Sequence, residues 1–337
     1  MRLVRSLTAL ASPAGRRGRL SAFVFHRVLP RPDPSLPDEV DAVRFDRMLD
    51  WIGAQFQVLD PVDACRRLAA GALPARAAIL TFDDGYRDNA EVALPLLRAR
   101  KMPAVFFVAT GFTGGSAMFN DRIRHAVWES RKRSLGLRWL QEDPLPVESP
   151  SDKLLAFDRI IAAIKHLEPR IRAQRVESVV QAAEADAPRG LMMDEGQLKT
   201  LAEAGMTLGG HTRHHPILRA LPDPEAREEI AGCRQDLADV TGEPPPLFAY
   251  PNGRLGRDYD ALHAAMARQA GYDSAFTTHP GAGALASDPH QLPRFTPWDP
   301  GRLKFMARSL LNLMASGAAG ESSSAGAART GAGSGPA

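Results

Sequence analysis

The chain has little cysteine, two residues in 337, and Cys65 and Cys233 lie far apart and form no C-x-x-C pair. No disulfide framework is implied, and both thiols read as buried small hydrophobes. Long apolar runs are also missing. Nothing approaches the roughly 18 consecutive apolar residues of a membrane span, so stable membrane insertion is not expected. Residues 1–19 read as an N-terminal extension with a basic start, a short apolar patch at 7–11 and then Arg16, Arg17 and Arg19. That patch is shorter than a secretory core and its flanking charge is on the wrong side, which points to a cytoplasmic protein. A dominant charge of one sign is lacking too. The net charge of +3 is not the basic stripe of a nucleic-acid binder, so nucleic acid is not an expected partner. No internal repeat of constant period stands out.

What is present is apolar material in short, regular pieces. Hydrophobic residues make up 44% of the chain, enough for a sizeable core. Strands are predicted at 20–25, 77–82, 103–108, 206–210, 247–250 and 274–277. Helices are predicted at 45–55, 62–70, 89–100 (with Pro95 near its start or kinking it), 194–204, 224–241, 258–270 and 302–315. Asp194 and Asp258 are placed to cap the helices that they begin. This alternation of strand and helix predicts a parallel sheet, and the number of units favours a (β/α) barrel. Residues 118–187 break the rhythm as a charged, mainly helical insertion whose Arg131-Lys132-Arg133 run reads as a solvated face. Residues 316–337 are Ala, Gly and Ser and read as a disordered tail, which leaves 20–315 for the barrel domain. The last predicted helix, with Leu303, Met306, Leu310 and Leu313 on one face and Arg302, Lys304 and Arg308 nearby, is expected to close the barrel rather than to lie on a membrane.

Two motifs concentrate chemistry. Thr81-Phe82-Asp83-Asp84-Gly85 ends a strand in two adjacent carboxylates. These repel each other and tolerate burial only beside compensating positive charge. Gly209-Gly210-His211-Thr212-Arg213-His214-His215-Pro216 also follows an apolar strand. His211 and His215 have helical spacing, but the glycines and Pro216 argue for a loop at the strand's C-terminal end, where barrel enzymes hold catalytic groups. Each motif alone has a plain structural reading, as a solvated turn or a polar loop. Together they offer two imidazoles and one carboxylate, a three-ligand set with coordination positions left open. One aspartate can bind a divalent cation while its neighbour stays free to take a proton.

On these residues the sequence resembles the polysaccharide deacetylases of carbohydrate esterase family 4, over about residues 23–298 with the insertion interrupting. Supporting segments are Leu73-Pro74, Pro103-Ala104-Val105-Phe106-Phe107-Val108, Phe248-Ala249-Tyr250-Pro251-Asn252-Gly253, Gly271-Tyr272-Asp273-Ser274-Ala275 and Leu292-Pro293-Arg294. The resemblance implies a distorted parallel (β/α) barrel, usually seven-stranded. It implies Asp83 as general base, Asp84, His211 and His215 as ligands of a divalent metal, commonly zinc, and Thr212 as a residue that steadies the histidine loop. The implied partner is an N-acetylated oligo- or polysaccharide, with a setting in cell-surface polysaccharide assembly, and the implied reaction releases acetate. The backbone N–H of Asn252 would stabilise the oxyanion, and Asp273 would support the site.

The sequence departs from the family pattern at two places. Ala249 stands where many members have an arginine that orients the base; Arg294 is a candidate to supply that charge from another strand, and otherwise reads as a surface or structural residue. The late Leu-x-His motif that often provides the acid is absent, which leaves His26, His279 and His290 as candidates. Trp298 reads as core or as a platform for a sugar ring. Two other functions share parts of this signature: an iron oxygenase with two histidines and one carboxylate, and a non-catalytic, metal-bearing sugar-binding domain.

Overall fold

A computed structural model of the chain describes residues 2–297 and 299–315. Trp298 and the tail 316–337 lie outside the described residues, and so do the expectations made for them.

Seven parallel strands form the main sheet: β1 (Ser21–Phe25), β2 (Gln57–Val58), β3 (Ala77–Phe82), β4 (Val105–Val108), β5 (Thr207–Gly210), β6 (Leu247–Ala249) and β7 (Ser274–Phe276). Their order is β1-β3-β4-β5-β6-β7, with β2 pairing beside β3. Residues 292–295 close the ring. Leu292 N–H donates to Ala275 O and Thr277 N–H to Leu292 O, both at 2.9 Å. On the other side Phe295 N–H donates to Ala22 O at 2.7 Å and Val24 N–H to Phe295 O at 3.0 Å. Six strands and this segment therefore make seven staves of a distorted (β/α) barrel. The segment escapes a strand pattern because Pro293 lacks an N–H and interrupts the ladder.

Side chains alternate across each strand. Ala22, Ala77, Ile79, Val105, Phe107, Leu247, Ala249, Phe276 and Leu292 form one cluster inside the barrel. Their neighbours Phe23, Phe25, Leu80, Phe82, Phe106 and Val108 face outward, under the helices. The aromatic members interlock: Phe82 stacks on Phe106 with ring centroids 4.7 Å apart, and Phe25 on Phe82 at 5.4 Å.

The N-terminal stretch, read only as an extension, begins with helix α1 (Arg2–Ala11). It packs against α2 (Ala42–Gln55) and against the last helix. Gln55 Nε2 donates to Thr8 Oγ1 and to Met306 O, each at 3.2 Å, and ties the three together. Helix α3 (Pro61–Ala69) adds Ala64, Cys65 and Leu68 to the inner cluster. Residues 87–99 run as one helix in which a wide π turn (Asn89–Ala93) directly precedes Pro95 and α4 (Leu94–Ala99), so the turn absorbs the N–H that the proline lacks.

The insertion folds as α5 (Phe119–Glu129), α6 (Pro150–Ile164) and α7 (Pro169–Ala183) with a short antiparallel pair between α5 and α6. It has its own apolar cluster, built on Ile123, Val127, Ile160, Ile164, Val176 and Val179. Lys132 pairs with Glu184 at 2.7 Å and Arg133 with Glu148 at 2.9 Å, as a solvated face requires.

Helix α8 (Glu195–Glu203) starts at Asp194, whose Oδ1 accepts from Gln197 N–H at 2.9 Å while Gln197 Oε1 accepts from Asp194 N–H at 3.1 Å. This reciprocal cap predicts that Asp194→Ala costs about 1 kcal/mol, read as a lower urea midpoint at unchanged slope. Helices α9 (Asp223–Thr241), α10 (Ala261–Gln269) and α11 (Arg302–Met314) complete the set.

Two expectations are corrected. Asp258 does not cap α10; Asp260 does, accepting from Leu262 N–H at 3.0 Å, while Asp258 is buried and accepts from Arg254 N–H. The predicted face of α11 holds only in part: Met306 and Leu313 are buried and Leu310 half-buried, but Leu303 is 81% exposed and Phe305 and Ser309 take its place in the packed face. Phe305 lies on Phe23 and Trp51, so α11 covers β1 from outside and the closing is done by residues 292–295. No described helix is long and apolar enough to cross a membrane.

Candidate metal centre

The site sits at the C-terminal mouth of the barrel. Asp83 N–H still donates to Phe25 O at 2.9 Å, so Asp83 prolongs the inward register of Ile79 and Thr81. Asp84 would then point outward. Instead it adopts φ 77°, followed by Gly85 at φ 90°, and this left-handed turn swings its carboxylate back over the mouth. Adjacent residues thus reach one site by different routes.

The histidine loop depends on two glycines for space. A Cβ on Gly209 would lie 2.4 Å from the Phe107 ring, and one on Gly210 would lie 2.2 Å from Tyr272 Oη. The loop itself is strained, with Thr212 at φ 63° and His215 at φ 51°. Thr212 Oγ1 donates to His211 O at 2.5 Å and accepts from His215 N–H at 3.1 Å, pinning the loop across its width. Arg213 is clamped by Asp236 at 2.7 Å on α9. His214 is turned outward, its N–H and Nδ1 both on Glu229. His211 Nδ1 lies 2.7 Å from Ala249 O and donates to it, which leaves Nε2 with its lone pair aimed into the site.

Asp84, His211 and His215 converge, with one candidate ligand atom from each within 4.8 Å of the others. Asp84 Oδ1 lies 3.4 Å from His211 Nε2 and 3.3 Å from His215 Nε2. These distances are too long for charge-assisted hydrogen bonds. Asp84 Oδ1 is accordingly buried without a hydrogen-bond partner, an expensive state unless a cation compensates it. The separations match two tetrahedral zinc ligands each about 2.0–2.1 Å from one ion. The donor set therefore fits a divalent cation. Protonation agrees: burial pulls the His215 imidazole down to about 4 despite nearby Asp84, so it is neutral. Burial would raise the Asp84 carboxyl, but His211 and His215 beside it hold it well below its ordinary value.

Arg294 supplies the second element. It is fully enclosed, and its Nη1 and Nη2 donate to Asp83 Oδ1 and Oδ2 at 2.6 and 2.7 Å. Nη1 also reaches Thr81 Oγ1 at 3.2 Å, and Nε donates to Thr277 O at 2.9 Å. Burial alone would raise the Asp83 carboxyl; the Arg294 guanidinium, helped by His211, holds it below the ordinary range.

Two clefts meet at Asp84. One, of about 250 Å³, runs past His26, Arg27, Glu39, Tyr86, Asp121 and Arg124. The other, of about 210 Å³, runs past His215, Asn252, Phe119, Phe157, Lys165 and Arg172. Asn252, at φ 59°, is therefore beside the centre. Among the acid candidates only His26 lines a cleft shared with Asp84. Burial disfavours its charged form, but Asp84 and Asp83 outweigh this and raise it above the ordinary histidine value. His279 is exposed, and its carbonyl accepts from Arg294 N–H at 3.1 Å. His290 is buried, its Nε2 2.9 Å from Tyr272 O. Asp273 precedes β7 at the opposite end of the barrel and is exposed, so it does not support the site. The sequence reading overlooked the cleft's Arg27–Asp88 pair at 2.7 Å and the Tyr86–Asp121 hydrogen bond at 3.1 Å. Asp88, four residues past Asp84, was the available signal.

The sequence profile of the polysaccharide deacetylases matches residues 70–146 and 154–275, so the chain belongs to the polysaccharide deacetylase family. YxkH of Bacillus subtilis (strain 168), assigned by name to the polysaccharide deacetylases, is 22% identical over 71% of this chain, and the matched stretch spans 59% of YxkH. Among solved structures, IcaB from Ammonifex degensii is similar over 90% of this chain and 99% of its own, with a TM-score of 0.57 and 19% identity. The deacetylase PplD of Streptococcus pyogenes, solved in complex with acetate, is similar over 88% of this chain and 99% of its own, again at 0.57 and 19%. At that identity these two show the fold.

Proposed function

We propose that this polysaccharide deacetylase family member hydrolyses the acetamide of an N-acetylated sugar or polysaccharide, releasing acetate and leaving an amine. One observation carries the reading: adjacent carboxylates with separate duties. Asp84 faces two imidazoles with an unpartnered Oδ1, while Asp83 is clamped by Arg294 beside it. A domain that only bound metal and sugar would need the first and not the second. The nitrogen and carboxylate donors suit zinc. When bound by Asp84, His211 and His215, the cation would polarise the acetamide carbonyl and make water more acidic.

The chain's own groups do the rest. Asp83 accepts the proton of the attacking water on a carboxylate lone pair that Arg294 leaves free, and Arg294 keeps that carboxylate ionised and fixed. The Asn252 N–H donates to the carbonyl oxygen as negative charge develops there. His26, which lines the other cleft at Asp84, would protonate the departing nitrogen.

The test is a screen for acetate release from chitin oligomers, peptidoglycan fragments and exopolysaccharides, using chelated protein with and without added zinc. Release from at least one substrate, dependent on added metal and undiminished without oxygen, is the expected result. Metal retention with no acetate from any substrate would instead mark a sugar-binding domain. A strict requirement for ferrous iron and oxygen would mark an oxygenase.

A further inference from the structure

We propose that the cleft on the His215 side is a subsite for an anionic substituent, a carboxylate or phosphate group, carried next to the acetylated sugar; this rests on the deacetylase reading above. The cleft is lined from the barrel by Asp84, His215 and Asn252 and from the insertion by Lys165 and Arg172 among others. Its only carboxylate is Asp84, which belongs to the metal centre. The walls between are the apolar Phe119, Phe157 and Ile161.

Arg122, Lys132 and Arg133 of the insertion are paired with Glu177, Glu184 and Glu148. Among the described residues, Lys165 and Arg172 are in no ion pair, although both are half-buried. Among the described residues of the insertion, half-buried Arg124, Lys153 and Arg175 are also in no ion pair, and what sets Lys165 and Arg172 apart is that both line this cleft. Arg172 is nonetheless held in place: its guanidinium lies 4.6 Å over the Phe119 ring, and Nη1 donates to Lys165 O at 3.3 Å. Lys165 is partly desolvated, which together with Arg257 and Arg254 nearby lowers its affinity for a proton against the pull of Asp258. Asp258 is buried and accepts from Arg254 N–H. Two half-buried cations over a cleft lose hydration that the Phe119 ring, the Lys165 carbonyl and the carboxylates of Glu168 and Asp258 return only in part. A ligand anion returns it; an uncharged chain of N-acetylglucosamine does not. The other cleft is mixed in charge, with Asp38, Glu39 and Asp121 beside His26, Arg27 and Arg124.

The test compares kcat/KM for acetate release from three substrates: a neutral N-acetylglucosamine tetramer, an oligosaccharide alternating N-acetylglucosamine with a uronic acid, and N-acetylglucosamine 1-phosphate. One or both anionic substrates should exceed the neutral one by about tenfold or more, and which of them does so identifies carboxylate or phosphate as the source. In the Lys165→Gln/Arg172→Gln protein that ratio should fall to near one, while Arg133→Gln should keep it. Equal rates in the wild type, or a ratio that survives the double substitution, would overturn the subsite. If no substrate releases acetate, the deacetylase reading fails on its own. Titration calorimetry with the same ligands then still decides the subsite: anionic preference lost in the double variant supports it, and equal affinities overturn it.

Discussion

Asp83→Asn should lower acetate release by about a hundredfold to ten-thousandfold while the protein still binds its cation. The substitution keeps the size of the side chain but replaces one acceptor of the Arg294 clamp with an NH2 group and leaves no oxygen basic enough to take up a proton. Asp84, His211 and His215 are untouched by it, so the ligand set within 4.8 Å should survive. Acetate release measured beside metal content by plasma spectrometry separates the two effects. Retained turnover would show that Asp83 is not the base. Loss of metal along with turnover would show that it is a ligand, and the division of duties between the carboxylates would fail.

Arg294→Ala should strike both stability and turnover. Arg294 and Asp83 are enclosed together, with side chains 0% and 3% exposed. Removing the cation strands a carboxylate in the barrel, a change that typically costs about 3–5 kcal/mol. The same loss frees the base to turn away, so turnover should fall by about a hundredfold or more. Arg294→Lys should recover little of either, because an ammonium cannot make the two parallel bonds of the guanidinium. The decisive comparison is Asp83→Asn combined with Arg294→Met. With both charges gone the barrel interior is neutral, and stability should return toward the wild-type value without any return of turnover. Urea unfolding and the acetate assay read the two outcomes. Stability unchanged in Arg294→Ala would mean that the ion pair is incidental to the fold.

Much of this was legible in the sequence because chemistry and topology coincide at strand ends. The run before Asp83 is buried on both faces, and the short run before His211 is buried from Leu208 to Gly210, so the motifs that follow them fall at the mouth. The strained turns at Asp84, Thr212 and His215 were signalled only by the neighbouring glycines and Pro216. What stayed hidden depends on placement across the chain. Residues 292–295 have no alternation to betray a stave, since Pro293 stands in the middle. Asp258 and Asp260 both precede an apolar stretch, and composition does not tell which meets the free N–H groups. Asp273 sits in a motif-like segment, yet the strand it precedes runs toward the mouth and leaves it at the far end. Lys165 and Arg172 look like any other surface cations until α6 and α7 are packed, because helical spacing alone does not say which side faces the cleft.

The closing stave gives the protein an order of events. Asp83 and its guanidinium partner are 211 residues apart in the chain. A ribosome making about 5–20 residues per second needs roughly 10–40 s to cover that interval. Until then Asp83 lacks its Arg294 partner and the first and last staves lack the segment that joins them. Asp83 can meet Arg294 only when the seam is stitched, so a chain truncated before the closing stave lacks the bidentate pair.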